Sequence, residues 1–329
     1  MILRRIPLSR LFHGLAIAGA ALALPVAAQS AYPDRPIKLV VPSGPGGGYD
    51  VTARLVAQSL SRQLGQPLVV ENRVGAAGTL GAAQAAKSTP DGYTLLWGGN
   101  GPLTLTPYLM KNAGYDPIKS FIPISIGAVS SYALVVPAGS PLQSVRDLVA
   151  QGKSNPGELT YASNGPNGGP HLLGEVLTSV GAFKALHVPY KGGTESVTAV
   201  VAGNVSFAFD AVSTNLPLIK GGKLKPLAVT GSRRDPKLPE VPTFAELGYP
   251  ELTSDIFFGL VAPAGTPRAI IDKLAASMRN AAAEPAVQQA VAGSGNKAES
   301  NSPDEFRALI DKESNRWKKV IDSLGITPQ

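Results

Sequence analysis

Ile37-Lys38-Leu39-Val40-Val41 is a short apolar run closed by a glycine-rich turn. Behind the turn Val51, Leu55, Val56, Leu60 and Leu64 recur at helical spacing. An apolar run this short, followed by a 3.6-residue period, reads as a buried strand feeding an amphipathic helix. The unit then repeats. Leu68-Val69-Val70-Glu71-Asn72 is a second strand, residues 79–87 form an alanine-rich helix, and Tyr93-Thr94-Leu95-Leu96-Trp97 is a third strand. Strand–helix–strand units at this rhythm pack as right-handed crossovers on a mostly parallel sheet, which constrains the chain to the α/β class.

After a break the rhythm restarts. Ala133-Leu134-Val135-Val136 is a strand that ends at Pro137, and residues 145–151 are a short helix. Strands at 159–162, 186–188, 205–209 and 227–230 are interleaved with helices at 171–180 and 194–202. Phe257-Phe258-Gly259-Leu260-Val261 reads as a strand returning to the first sheet, and the tail is helical over 268–284, 285–292 and 303–324. The chain is therefore expected to leave a first domain near 127–136 and return near 252–262. That predicts two α/β lobes joined by two crossing strands around a central cleft. Lobe 1 takes residues 31–128 plus 253–329, and lobe 2 takes 129–252. About 300 residues is also the size at which one core tends to divide into two.

Residues 1–30 are unlike the rest. Arg4, Arg5 and Arg10 precede an apolar stretch from Leu11 to Leu24, and small residues follow at Val26, Ala28 and Ser30. These are the three parts of a cleavable secretory signal. Cleavage after Ala28 and cleavage after Ser30 fit equally. A membrane anchor fits less well, because a spanning helix needs about 20 apolar residues. The expected location is the periplasm.

The chain contains no cysteine, which excludes disulfides, thiolate metal sites and cysteine nucleophiles. The formal charge is +7, and three of those charges belong to the signal, so the remainder is only mildly basic. Its basic residues are scattered and do not alternate with aromatics, which argues against nucleic acid as a partner. A mild positive field does steer an acidic ligand.

Two loops carry the chemistry. Pro42-Ser43-Gly44-Pro45-Gly46-Gly47-Gly48-Tyr49-Asp50 joins the first strand to the first helix. Glycines turn the backbone tightly and expose its amides, and a helix N-terminus favours an anion. Gly48-Tyr49-Asp50 does not match the end of a Walker A loop, and Tyr49 stands where a dinucleotide fingerprint needs its third glycine. Asp50 reads as an N-cap rather than a base. Its carboxylate discourages phosphate and favours a weaker anion, held through water. Tyr161-Ala162-Ser163-Asn164-Gly165-Pro166-Asn167-Gly168-Gly169-Pro170-His171 repeats the design in the second lobe, with Pro170 as the first helical residue. Two helix starts facing each other across a cleft suit a dicarboxylate.

Enzymatic constellations are missing. Behind the signal only His171 and His187 remain, not spaced as metal ligands, and no serine has glycine at both −2 and +2. Ser294-Gly295-Asn296-Lys297 matches Ser-x-x-Lys in a polar stretch and reads as chance. His171 reads as a packing or hydrogen-bonding residue. The expectation is a binding protein with no cofactor and no metal. No amphipathic face calls for an obligate dimer, so a monomer is expected.

With these loops the sequence resembles the periplasmic receptors of tripartite tricarboxylate transporters, the Bug (Bordetella uptake gene) family. The resemblance is carried by Tyr32-Pro33-Asp34-Arg35-Pro36-Ile37, the Pro-Gly-Gly loop with Asp50, Val70-Glu71-Asn72-Arg73 with Gly75 and Gly78, and Pro90-Asp91-Gly92-Tyr93-Thr94-Leu95. It continues through Tyr115-Asp116-Pro117 with Phe121, His187-Val188-Pro189-Tyr190-Lys191-Gly192, the run from Gly221 to Thr230, and Leu238-Pro239-Glu240-Val241-Pro242-Thr243. It implies a Venus flytrap fold of the periplasmic-binding-protein type, closing on one small carboxylate, di-, tri- or aromatic, for delivery to membrane permease subunits. It implies ligand contacts at Gly46, Gly47, Tyr49 and Asp50, at Ser163, Asn164, Gly168 and His171, at Lys191 and Gly192, and at Asp210. Asn100 and Gly101, after the third strand, are expected to face the cleft as well. Ser43, Tyr49 and Gly168 depart from the family's usual aromatic, small and hydroxyl residues, which shifts the expected ligand and allows Tyr49 to stack on an aromatic acid. The same fold and pocket also serve a sensor that presents its ligand to a signalling receptor, and the sequence does not separate the two roles.

Overall fold

A computed structural model of the chain describes Ile2, residues 32–166 and residues 168–328. Apart from Ile2, the expected signal at 1–30 lies outside the described residues. The first apolar runs form β1 (Ile37–Val41), β2 (Leu68–Asn72) and β3 (Thr94–Gly99), connected by α1 (Gly48–Leu64) and α2 (Thr79–Ala86). β1 pairs in parallel with both β2 and β3. A π-helical segment, Gly101–Leu105, and the short α3 (Thr106–Leu109) lead into β4 (Phe121–Pro137).

The second lobe repeats the plan through α4 (Val145–Ser154), β5 (Leu159–Ser163), α5 (Gly169–Val180), β6 (Ala185–Pro189), α6 (Gly193–Val201) and β7 (Phe207–Ala211). β5 pairs in parallel with both β6 and β7. Next come α7 (Val212–Lys220) and β8 (Leu224–Val229); then β9 (Asp255–Pro263) returns antiparallel between β3 and β4. The chain ends with α8 (Arg268–Ala283), α9 (Pro285–Gly293), the short β10 (Lys297–Ala298) and α10 (Pro303–Ser323). The helix α7 escapes a reading of apolar spacing because Pro217 lies inside it.

The two sheets share a central order, β2-β1-β3 in one and β6-β5-β7 in the other. Each therefore reverses direction of growth beside its first strand. Open parallel sheets bind ligands at the strand C-termini next to such a reversal. The topology thus singles out the loops after β1 and β5.

β4 belongs to both sheets. Its residues up to Ser131 pair with β9, and from Tyr132 onward it pairs with β7 and β8. The returning chain is stapled to this crossing point by the fully buried Thr230. The Thr230 hydroxyl accepts from the Tyr132 amide at 3.0 Å and donates to the Ser254 carbonyl at 2.6 Å. The Thr230 backbone also bonds Tyr132 and Ser254, at 2.9 and 2.8 Å.

Each sheet is covered on both faces. Trp97, Leu39, Leu60 and Phe258 centre one cluster of the first lobe, and Phe257, Leu96 and Phe306 the other. In the second lobe Tyr161, Phe207, Phe209 and Phe244 lie on one face, and Ala162, Ala208, Val197 and Val200 on the other. Helix α10 starts with a capping box between Ser302 and Glu305. Its early residues Phe306 and Ile310 pack in the first lobe, whereas Trp317 and Ile321 pack in the second. The terminal helix is a third link between the lobes.

Candidate functional site

The loop after β1 corrects one expectation. The N-cap of α1 is Gly47, with no side-chain cap, and Asp50 is the third helical residue. Asp50 instead reaches back to the left-handed Gly46 (φ +78°), whose amide donates to Oδ2 at 3.0 Å. Its carboxylate is 3% exposed and also receives Arg54 Nε at 3.0 and 3.1 Å and Asn72 Nδ2 at 2.8 Å. Burial pushes the Asp50 carboxyl up, but the bonds from Arg54, Gly46 and Asn72 outweigh it, and the group titrates below its usual range. Asn72 also donates to the Ser43 carbonyl at 2.9 Å, so this network fixes the whole loop. Asp50 is fully committed within its own lobe, and Arg54 offsets its charge. The first intrahelical bond is made by Val51 to Gly47, which leaves the amides of Gly48, Tyr49 and Asp50 ahead of it at the positive end of α1.

Tyr49 turns inward. Its ring meets Phe258 edge-on at 5.0 Å, and its hydroxyl lies against Gly99 and is bonded by the Gly101 amide. Burial raises its pKa well above the tyrosine norm, with the Gly101 bond opposing. Asn100 does not present its side chain to a ligand. Its amide bridges β9, with Nδ2 donating to the Asp255 carbonyl at 3.2 Å and Oδ1 accepting from the Phe257 amide at 3.0 Å.

In the second lobe Ser163 ends β5 fully buried, and its hydroxyl is spent on the Gly165 carbonyl and amide and on His187 Nε2 at 2.7 Å. Gly168 is the N-cap of α5, Gly169 its first residue and Pro170 its second, one place later than the sequence reading. A side chain at Gly168 would come within 2.6 Å of Asn164 Oδ1, and one at Gly169 within 2.5 Å of the Tyr132 hydroxyl. The glycines therefore admit Asn164 and Tyr132 to the helix start. His171 stacks on His187 with centroids 4.1 Å apart, and the Tyr161 ring lies 5.0 Å from His187. Tyr161 also bonds Glu175. Burial lowers the pKa of both histidines, His187 to about 4 with His171 adding to the effect.

Asp210, at the end of β7, is 6% exposed. Its Oδ1 accepts from the Ala211 amide at 2.7 Å. Its carboxylate also occupies the space that a side chain at Gly193, the first residue of α6, would need. Burial pushes its pKa up to about 6, against bonds from Ala211 and Thr214. Gly192 is the N-cap of α6 and faces open space, while Lys191 is exposed and its amide donates to Glu195 at 3.2 Å.

These elements meet between the lobes. A side chain on Gly48 would touch Phe258, Ser213 and Ala211, so the start of α1 abuts the start of α7. Tyr132 lies where β4 changes sheets, with its hydroxyl on the first residue of α5, and both Tyr49 and Asp210 are close enough to help burial raise its pKa. Tyr132 escaped the sequence reading because it stands between Ser130-Ser131 and the apolar run that starts at Ala133, and nothing local marks it. A cavity of about 100 Å³ opens nearby, lined by Thr79, Gly101, Thr106 and Met110 from lobe 1 and Pro166 from lobe 2. Among the described residues, no cluster of three or more His, Cys, Asp or Glu side chains could hold a metal. No helix among them is long and apolar enough to cross a membrane.

The chain is 38% identical over 313 residues to the protein BugT of Bordetella pertussis, covering 95% of this chain and 96% of that one. A structure from R. palustris with adipate matches at TM-score 0.87 and 32% identity, covering 91% of this chain and all of the other. MatC from Rhodopseudomonas palustris with bound malate matches at TM-score 0.83 and 30% identity, covering 88% of this chain and 100% of MatC. Residues 52–326 match the TctC profile, and the chain belongs to the tripartite tricarboxylate transporter family receptors.

Proposed function

We propose that this chain is a periplasmic receptor that binds a small carboxylate between its lobes and passes it to the permease subunits of a tripartite tricarboxylate transporter. One observation carries the reading. The N-termini of α1 and α5, each opened by a glycine cap without a side-chain bond, come from opposite lobes to the neighbourhood where Tyr49 of α1 interacts with Tyr132, whose hydroxyl lies on the first residue of α5. A carboxylate placed there would take charge-assisted bonds from amides of both helices, at about 1.5–3 kcal/mol each, and would so favour the closed arrangement.

In this reading Gly46 and Gly47 shape the approach to α1, while Asp50 and Asn100 hold its loop rather than touch the ligand. Gly168, Asn164 and Ser163 do the same for α5, and Gly192 and Lys191 form the rim. The lobes divide at 31–128 plus 253–329 and at 129–252, with the last turns of α10 docked on lobe 2. The protein acts as a monomer after removal of its signal, and binds without turnover. The relatives solved with adipate and malate support the ligand class.

The test is a calorimetric and thermal-shift titration of the chain starting at Gln29 or Ala31. Ligands would be succinate, malate, adipate, citrate, benzoate and terephthalate. Saturable one-to-one binding of at least one acid, with a raised melting temperature, is expected; a ligand at a hundredfold excess over Kd adds about 2.7 kcal/mol. Binding of neutral amides as tight as that of the acids would overturn the carboxylate reading.

A further inference from the structure

His187 stands on β6, outside the two loops that open the site, yet it holds one of them. β5 and β6 run in parallel with Tyr161 opposite His187 and Ser163 opposite Pro189. Side chains two apart on a strand share a face, so Tyr161 and Ser163 are both within reach of the same neighbour. The His187 ring stacks on Tyr161 at 5.0 Å and on His171 at 4.1 Å, and its Nε2 lies 2.7 Å from the Ser163 hydroxyl. The two stacks give the ring one orientation.

Counting hydrogens sets the direction of the Ser163–His187 bond. Ser163 Oγ lies 2.9 Å from the Gly165 carbonyl and 3.2 Å from the Gly165 amide. A hydroxyl has one hydrogen and two lone pairs. The carbonyl can only accept, so it takes the hydrogen. The Gly165 amide and His187 Nε2 then fill the two lone pairs. All three contacts are satisfied together only when Nε2 is a donor, which in the neutral ring is the Nε2–H tautomer.

The turn has reason to be held. Gly165 has φ +118°, a conformation that glycine alone takes readily. Asn164 Oδ1 is buried without a hydrogen-bond partner among the described residues, which disfavours this arrangement of the turn. Asn164 in turn lies against Gly168, the N-cap of α5. We infer that His187, as the Nε2–H tautomer, is a positioning residue for ligand binding. Through the Ser163 hydroxyl it locks the turn from Ser163 to Gly165 and so sets where the amides at the start of α5 point. The inference rests on the receptor reading and adds to it a residue that acts through Ser163.

The experiment uses the chain starting at Ala31, in which His171 and His187 are the remaining histidines. Long-range proton–nitrogen NMR at neutral pH reads the tautomer of each ring, and the signal lost in H187Q is that of His187. The Nε2–H form is expected for His187, and the Nδ1–H form overturns the inference while leaving the carboxylate receptor standing. Succinate, malate, adipate, citrate, benzoate and terephthalate are then titrated calorimetrically into wild type, H187Q and H187F. Gln puts an N–H donor where Nε2 stands, whereas Phe keeps the stacked ring and loses the donor. For the acid that wild type binds most tightly, H187F is expected to lose affinity about tenfold, and H187Q to stay within about threefold of wild type. Folded H187F that binds as wild type does overturns the inference, and so does H187Q as weak as H187F. No response of wild type to any of these acids sinks the carboxylate reading and the inference with it. The tautomer is read on wild type, so that test stands even if H187F fails to fold.

Discussion

His171 and His187 lie face to face, with ring centroids 4.1 Å apart and planes inclined by 24°, directly behind the loop that opens α5. Two imidazoles this close cannot both be charged cheaply, and burial already disfavours the charge. His187 is pushed down to about 4, first by burial and then by His171. The unfolded chain takes up that proton near pH 6.5 and the folded chain only near pH 4. Its contribution to stability therefore falls as pH drops through that window and is flat below it. Urea unfolding from pH 7.5 to 4 should show a wild-type advantage over H187N that shrinks with acidification. A constant difference would refute the assignment.

Asp210 carries the opposite sign. Its folded pKa is raised to about 6, so the folded state holds the proton more tightly than the unfolded one. Stability from this group is present in acid and is lost as pH rises through about 4 to 6. The ligand-free D210N variant should gain on wild type over that range and plateau above it. A pH-independent difference between the two would mean that the carboxyl is not perturbed.

Asp50 organises the first loop through Gly46, Arg54 and Asn72. Removing it takes away the partner of the Gly46 amide, of Arg54 and of the Asn72 side chain, and frees the loop. D50A should lose about 1–3 kcal/mol of stability, and ligand affinity with it, although Asp50 has no free acceptor to offer. A variant as stable as wild type in a urea titration would contradict the network.

The Thr230 hydroxyl ties both crossing segments together. T230V keeps the shape but leaves the Tyr132 amide and the Ser254 carbonyl short of a partner. It should cost about 1–3 kcal/mol and broaden the distribution of lobe orientations seen by small-angle scattering. Unchanged stability would show that water or a neighbour replaces the hydroxyl.

Trp317 is 1% exposed and anchors the terminal helix in the second lobe. W317A should cost about 3–5 kcal/mol, whereas W317F should cost less. Because β4 and α10 both link the lobes, wild type is expected to melt in one calorimetric transition. W317A should split or broaden that transition, and a sharp single peak at the wild-type temperature would count against α10 as a brace.

The sequence by itself determined the class of fold and pointed to the two loops proposed here to meet the ligand. Short apolar runs alternating with helical periods leave few packings other than parallel βαβ layers, and glycine-rich turns at strand ends mark where a backbone can bare its amides. Both are local properties, written within a few residues of each other. Only the tertiary structure decided which side chains remain available for a ligand. Asp50 and Asn100 looked like equals of Asp210 in the chain, yet Asp50 is taken up by Arg54 and Asn72 and Asn100 by the backbone of β9. Asp210 keeps one oxygen unpaired. Tyr132 drew no reading at all, because strand alternation says which face a residue takes, not that its strand changes sheets at that residue. Satisfaction of a polar group depends on partners distant in sequence, and only folding brings those partners together.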